Sequence, residues 1–151
     1  MATREIIVRP VDKSDMSEWL RLRTLLWDQT DESEHLAEME EIVDHPDSQL
    51  VLVASDGEGL IGFLEVSIRS HAEDCETDHV GYLEGWYVDP EYRRTGIGRS
   101  LVSNAEQWAR SCGCVEMASD AEFGNEESIA AHAQLGYQET SRLVHFRRSI
   151  G

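Results

Sequence analysis

EGWYVDPEYRRTGIG, residues 84–98, changes character halfway. An apolar, aromatic run stops at Asp89 and Pro90; two arginines follow, then two glycines one residue apart. The run reads as a strand, and Gly85 within it marks a bulge or a close approach of another backbone or ligand. Behind the glycines, GRSLVSNAEQWARSC places Leu101, Val102, Ala105, Trp108 and Ala109 on one helical face. The loop therefore opens a helix, whose first N–H groups lack intrahelical partners and whose N-terminus carries about half a positive charge. Glycines let a ligand come close to such a backbone. Arg93, Arg94 and Arg99 add full charges, so residues 93–99 have the makings of an anion site suited to a diphosphate. By itself a Gly-x-Gly pair reads equally well as a tight turn before a helix. The loop is too short for the dinucleotide fingerprint, and Lys13, the only lysine, is no Walker lysine.

Outward from this stretch the chain alternates strand and helix patterns. REIIVRPV reads as a first strand, and Ser14 is placed to cap a helix with Met16, Trp19, Leu20, Arg23 and Trp27 at helical spacing. Asp31 caps a second helix with Leu36, Met39, Ile42 and Val43 along its apolar stripe, stopped by His45 and Pro46. QLVLVA and LIGFLEVSI flank the turn SDGEG as a hairpin. VGYLEGWYV, CVEMAS and YQETSRLVHFRR read as further strands, and NEESIAAHAQL as a fourth helix ended by Gly136. The expected order is β-α-α-β-β-β-α-β-α-β, a mixed α/β sheet in a single domain over residues 1–151.

Composition narrows the partners. No apolar run approaches the ~20 residues that span a bilayer, and the N-terminus lacks a signal-peptide pattern, so a cytoplasmic location is expected. Cys75, Cys112 and Cys114 are an odd set without zinc spacing, and no metal site is expected. The formal charge is −17, and Arg69 is the only lysine or arginine between Arg23 and Arg93. Such a surface repels nucleic acid and anionic membranes and attracts a polycationic small molecule. An acidic surface also simply keeps a protein soluble.

VDPEYRRTGIGRSLV resembles the acetyl-CoA-binding pattern Arg/Gln-x-x-Gly-x-Gly/Ala of the Gcn5-related N-acetyltransferases, with Arg93, Gly96 and Gly98 in the defining places. NEESIAAHAQLGY, residues 125–137, resembles that family's second segment, an Asn-led helix running into Leu-Gly-Phe/Tyr. The order of elements is similar to that family's fold too, so the resemblance covers nearly the whole chain and implies a sheet splayed at the cofactor site. More narrowly, HLAEMEEI, YLEGWYV, CVEMASD and LGYQET, in that order, resemble the single-domain bacterial aminoglycoside 6′-N-acetyltransferases.

The resemblance implies acetyl transfer from acetyl-CoA to an amine by direct attack. Trp86, Tyr87 and Val88 would offer main-chain groups to the pantetheine or the thioester oxygen. Arg93, Arg94, Thr95, Gly96, Ile97, Gly98 and Arg99 would hold the diphosphate, and Asn125 would also contact the cofactor. Strand alternation places the Glu84 side chain opposite that of Gly85 and on one face with Trp86. Glu84 would bind the acceptor's ammonium group and accept its proton, or it is a solvent-facing strand carboxylate. Asp120 would bind the aminoglycoside, or it caps a turn; Trp27 would wall the sugar site. His132 stands where the family often has a tyrosine that protonates the thiolate, and serves as that acid or as a structural histidine. Ser141 stands where related enzymes carry an acidic residue, so one ammonium contact is expected to be missing. The resemblance also implies a homodimer, with RLVHF available to pair across its interface. A polyamine or a protein N-terminus as acceptor, or a non-catalytic acyl-CoA-binding module, stays open.

Overall fold

The computed structural model describes residues 5–151. Residues up to Ser119 form one compact unit and Asp120–Gly151 a second, smaller one. In the first unit the chain runs through β1 (Ile7–Pro10), α1 (Met16–Leu26), α2 (Glu32–Val43), β2 (Gln49–Ser55), β3 (Leu60–Arg69), β4 (Val80–Val88), α3 (Ile97–Ser111) and β5 (Met117–Ser119). Arg4, the first residue of the expected opening strand, lies outside the described residues.

The five strands lie side by side in the order of the chain. β1 to β4 are antiparallel, and β5 joins β4 in parallel, a pairing that needs a long crossover connection, which α3 supplies. Both faces of the sheet are covered. Trp19, Leu22 and Met39 of α1 and α2 pack on Val51, Val53 and Phe63 on one face, while α3 lies against β2, β3 and β4 with Leu101, Val102, Ala105 and Ala109 buried. Burial on both sides explains why β3 is almost continuously apolar. The hairpin turn is tied by Asp56, whose Oδ1 accepts from the N–H groups of Glu58 (2.8 Å) and Gly59 (3.0 Å).

Several local expectations change. Asp12, not Ser14, caps the entry to α1: its carboxylate accepts from the Ser14 N–H (2.7 Å), and Asp15 reaches back to the Asp12 N–H (2.8 Å) in a capping box over the short 3-10 turn Lys13–Asp15. Asp31 does cap α2, accepting from the Glu34 N–H at 2.9 Å. The buried face of α2, however, is His35 and Met39, and Leu36 and Val43 face solvent. The imidazole meets one hydrogen-bonding group at the α1 end, Trp27 O, at 3.2 Å.

In the second unit α4 (Glu126–Gln134) is capped by Asn125, whose side chain accepts from the Ser128 N–H at 3.1 Å. It ends in a Schellman motif, with Tyr137 N–H bonded to His132 O (3.0 Å), Gly136 N–H to Ala133 O (3.1 Å) and Gly136 at φ 89°. The expected final strand is not formed: residues 137–151 carry no regular element. A strand needs a neighbour for its backbone groups. Leu143, Val144, Phe146 and Ile150 stand 58–93% exposed here, apolar surface that this chain leaves uncovered.

Candidate active site

The site in the first unit is organised by an irregularity in β4. Opposite β3, Leu64 pairs with Trp86 and Glu65 with Gly85, but Val66 pairs with Leu83. Glu84 is therefore the extra residue of a β-bulge. A bulge re-aims side chains, and here it corrects the expectation from simple alternation. A Cβ on Gly85 would meet Trp27 and Leu26 of α1, and the Glu84 carboxylate bonds to Ser67 and Arg69, which share a face of β3 with Glu65 and hence with α1 and α2. Glu84 and Gly85 thus share one face. Trp86 lies on the other, beside Gly98 of α3, and Tyr87 returns to the α1 face.

On the α1 and α2 face lies a cleft of about 590 Å³. Trp27, Glu38, Glu41, Glu65 and Glu84 line it together with Arg23. Trp27 ends α1, with its ring edge-on to Phe63 (6.0 Å between centroids) and its far edge over Gly85, where a Cβ would come within 2.4 Å. Glycine at 85 is thus the seat of the tryptophan, a role not read from the sequence.

Beneath the cleft lies a buried polar network that the sequence reading missed. Arg23, 2% exposed, donates to His35 O (3.2 Å) and Glu38 Oε2 (2.7 Å), lies 3.0 Å from Glu65 Oε2, and stacks on Trp27 at 4.9 Å from the ring centre. His35 Nε2 reaches Trp27 O at 3.2 Å, and Trp19 Nε1 donates to Glu65 at 3.0 Å. α1, α2 and β3 are therefore pinned together around Trp27. Burial pushes the Glu65 carboxyl up to about 7 against the opposing pull of Arg23 and Trp19, with Glu38 adding to the rise. A carboxylate in the middle of LIGFLEVSI was the available signal: an acid on a fully buried strand needs partners.

The opposite face of β4 meets the arginine loop. Asp89 N–H is tied to Ile61 O (2.8 Å), and after the 3-10 turn Pro90–Tyr92 the chain turns at Arg94 (φ 64°) and Gly96 (φ 89°) into α3. Both dihedrals lie in the left-handed region, which glycine adopts without strain and arginine does not. Gly96 caps α3 with no side-chain hydrogen bond, having no side chain to offer. Arg93 donates to Val88 O (2.8 Å) and lies over Tyr87, which fastens the loop to the strand end. Thr95 Oγ1 donates to Tyr92 O. The Gly98 Cβ position lies 3.7 Å from Trp86 Nε1 and 3.9 Å from Val88 Cγ2, so the loop and the strand adjoin directly.

The β4–β5 ladder covers Gly81, Tyr82 and Leu83 and ends at Ser119. No β5 residue pairs with Glu84–Val88, so the sheet opens on that edge from the bulge onward. Within the second unit, His132 Nδ1 contacts Ser128 O at 2.7 Å, which selects the Nδ1–H tautomer and leaves Nε2 an acceptor in the neutral ring. The Tyr137 ring stands edge-on to it at 6.0 Å. Asn125 is the helix cap already described, and Asp120 follows β5 directly. Among the described residues, no helix is long and apolar enough to cross a membrane.

The family model for the acetyltransferase (GNAT) family matches residues 18–137. The chain is 44% identical to the aminoglycoside N(6′)-acetyltransferase type 1 of Klebsiella aerogenes, covering 95% of this chain and 97% of that one. Among solved structures it is similar to the apo aminoglycoside antibiotic 6′-N-acetyltransferase of Acinetobacter haemolyticus, at TM-score 0.89, 39% identity and 96% and 99% of the two chains. It is also similar to AAC(6′)-Iy in complex with the bisubstrate analog CoA-S-monomethyl-acetylneamine, at TM-score 0.90, 33% identity and 97% and 99%. Those matches span both the bulged strand and the glycine loop, and on them this chain belongs to the GNAT acetyltransferase family.

Proposed function

We propose that this protein transfers the acetyl group of acetyl-CoA to the 6′-amine of aminoglycosides, conferring resistance to them. The observation that carries the reading is the bulge at Glu84. It turns one carboxylate into an acid-lined cleft while Trp86 and Val88, on the other face of the same strand, adjoin the loop that opens α3. A polycationic acceptor and an anionic cofactor are thereby given adjoining sites of opposite charge. The names of the relatives support the same acceptor.

The α3 N-terminus fits acetyl-CoA: its N-cap residue, Gly96, makes no side-chain hydrogen bond and takes a conformation that favours glycine, and Arg94 and Arg99 flank it in the chain, while Arg93 is bonded to Val88 O. Thr95, Gly96, Ile97 and Gly98 would supply the backbone around the diphosphate, and Trp86, Tyr87 and Val88 the edge for the pantetheine arm. On the acceptor side Trp27 is the wall for a sugar ring, Glu84 the carboxylate for the reacting ammonium group, and Glu38 and Glu41 raise the local concentration of a polycation. Asp120 and Asn125 serve acceptor and cofactor respectively. The neutral amine attacks the thioester carbonyl; an amide forms, the C–S bond breaks, and the amine's proton passes through Glu84 or a water beside it. His132 returns a proton to the thiolate in its imidazolium form, since its neutral tautomer has no proton on Nε2. Both units act as one acetyltransferase domain in the cytoplasm, and the exposed apolar tail, Leu143, Val144 and Phe146, is covered in a homodimer.

Thiol release from acetyl-CoA tests the reading. Kanamycin should give rapid release, and paromomycin, with a hydroxyl at the 6′ position, little. Equal rates with both would point to another amine, and faster release with spermidine to a polyamine enzyme.

A further inference from the structure

The Glu84 carboxylate already holds a cation. Arg69 Nε donates to Glu84 Oε2 at 3.1 Å and Arg69 Nη2 to the same oxygen at 2.7 Å, while Nη2 also contacts Oε1. Ser67 Oγ adds a fourth bond, to Oε2 at 3.0 Å. The guanidinium lies over the Tyr82 ring, its carbon 3.5 Å from the ring centre. Arg69 is also the one lysine or arginine between Arg23 and Arg93, in a region otherwise rich in carboxylates. Its setting contrasts with that of Arg23, the cation that lines the cleft: the Arg23 side chain is 3% exposed and locked between helices and sheet, whereas that of Arg69, bonded to Glu84 of the cleft lining, is 43% exposed.

We infer that Arg69 is a resident cation that stands in for the acceptor's ammonium group on Glu84 and is displaced by it, so that Arg69 sets how tightly the acceptor binds. The inference rests on the reading of Glu84 as the acceptor's carboxylate. The bonds from Arg69 and Ser67 take up much of the acceptor capacity of a carboxylate, so an incoming ammonium must exchange with the guanidinium to gain a close bond. An exposed ion pair shifts an equilibrium by only ~1.5- to 5-fold, so the exchange is within reach of a multiply charged acceptor. Arg69, once released, keeps the Tyr82 ring to lie on or turns into water.

Steady-state kinetics with kanamycin and saturating acetyl-CoA test this with Arg69→Met, which keeps an apolar stem on Tyr82 and removes the charge, Arg69→Lys, Glu84→Gln, and the double variant R69M/E84Q. Thermal melts confirm that each folds. R69M should lower the KM for kanamycin ~2- to 5-fold, with the change in KM rather than kcat, and R69K should bring it back toward the parent value. E84Q should raise KM, and R69M should then have no further effect. A higher KM or a lower kcat in R69M would make Arg69 a strut that positions Glu84 and overturn the inference. So would a lower KM that persists undiminished in the E84Q background, since that is a long-range field effect. If E84Q leaves KM unchanged, the reading of Glu84 falls and this inference falls with it; if E84Q raises KM and R69M does not lower it, only the inference falls.

Discussion

The two faces of β4 solve opposite problems with opposite means. On the α1 and α2 face, the recognition proposed is by side chains: Glu84, Glu38, Glu41 and Trp27 stand around a cleft, held from below by the buried Arg23 and Glu65. On the α3 face the recognition proposed is by backbone: a helix N-terminus entered through Gly96, which offers no side-chain cap. On this reading an acceptor that varies in shape would be met by replaceable side chains over a rigid base, and a diphosphate, which does not vary, by main-chain donors, which substitution does not remove. If this division is right, changes on one face should leave the binding constant of the other ligand nearly untouched.

The largest separation is expected from Glu84→Gln. It removes a charge-assisted contact of the kind that contributes ~1.5–3 kcal/mol, so kcat/KM for kanamycin should fall ~10- to 150-fold while the Kd for acetyl-CoA, by calorimetry, holds within twofold. A parallel fall in cofactor affinity would break the division at its centre.

Gly85→Ala comes next. Its methyl would lie 2.4 Å from Trp27 Cζ2 and 2.8 Å from Cη2, so the ring must leave its seat; overpacking of this kind costs ~1–3 kcal/mol. The melting temperature should fall and the acceptor KM rise, with cofactor affinity retained. An unchanged acceptor KM would remove Trp27 from the acceptor wall.

Gly96→Ala is the mirror experiment. No atom lies within 4 Å of the added methyl, but φ is 89°, and left-handed backbone costs a non-glycine residue ~1–2 kcal/mol. Calorimetry should show the loss in acetyl-CoA affinity, ~5- to 30-fold if the loop relaxes away from this conformation in the free protein, with acceptor KM unaltered.

The smallest effect sharpens the account of the cleft's base. Glu65 rises from 4.5 to about 7 on folding, through burial first. The folded chain therefore retains a proton that the unfolded chain releases; this stabilisation is complete below pH 4.5 and is lost as pH rises through 7. From pH 6 to 8 the loss is about 1 kcal/mol. The melting temperature should decline across that range, and Glu65→Gln should flatten the decline even though it weakens the pairing with Arg23.

Local patterns carried most of the architecture. The turn around Asp56 and Gly57, the cap at Asp31, the glycine stops and the apolar faces of α1 and α3 are each decided within a few residues, because caps, turns and amphipathic faces are local physics. For the same reason the glycine turn that opens α3 was legible from residues 93–99 alone. Long-range pairing was not legible. Whether Glu84 sits with Gly85 or against it depends on a register shift opposite Glu65 and Val66, and no local pattern encodes the partner strand's register. Nor does spacing reveal that His35, rather than Leu36, turns inward, or that Arg23 and Glu65 find each other across 42 residues; a buried charge is stable only where its partner arrives, and that is decided by packing. The final strand shows the same limit from the other side. RLVHF has the pattern of a strand, but a strand also needs a neighbour, and its own sequence cannot supply one.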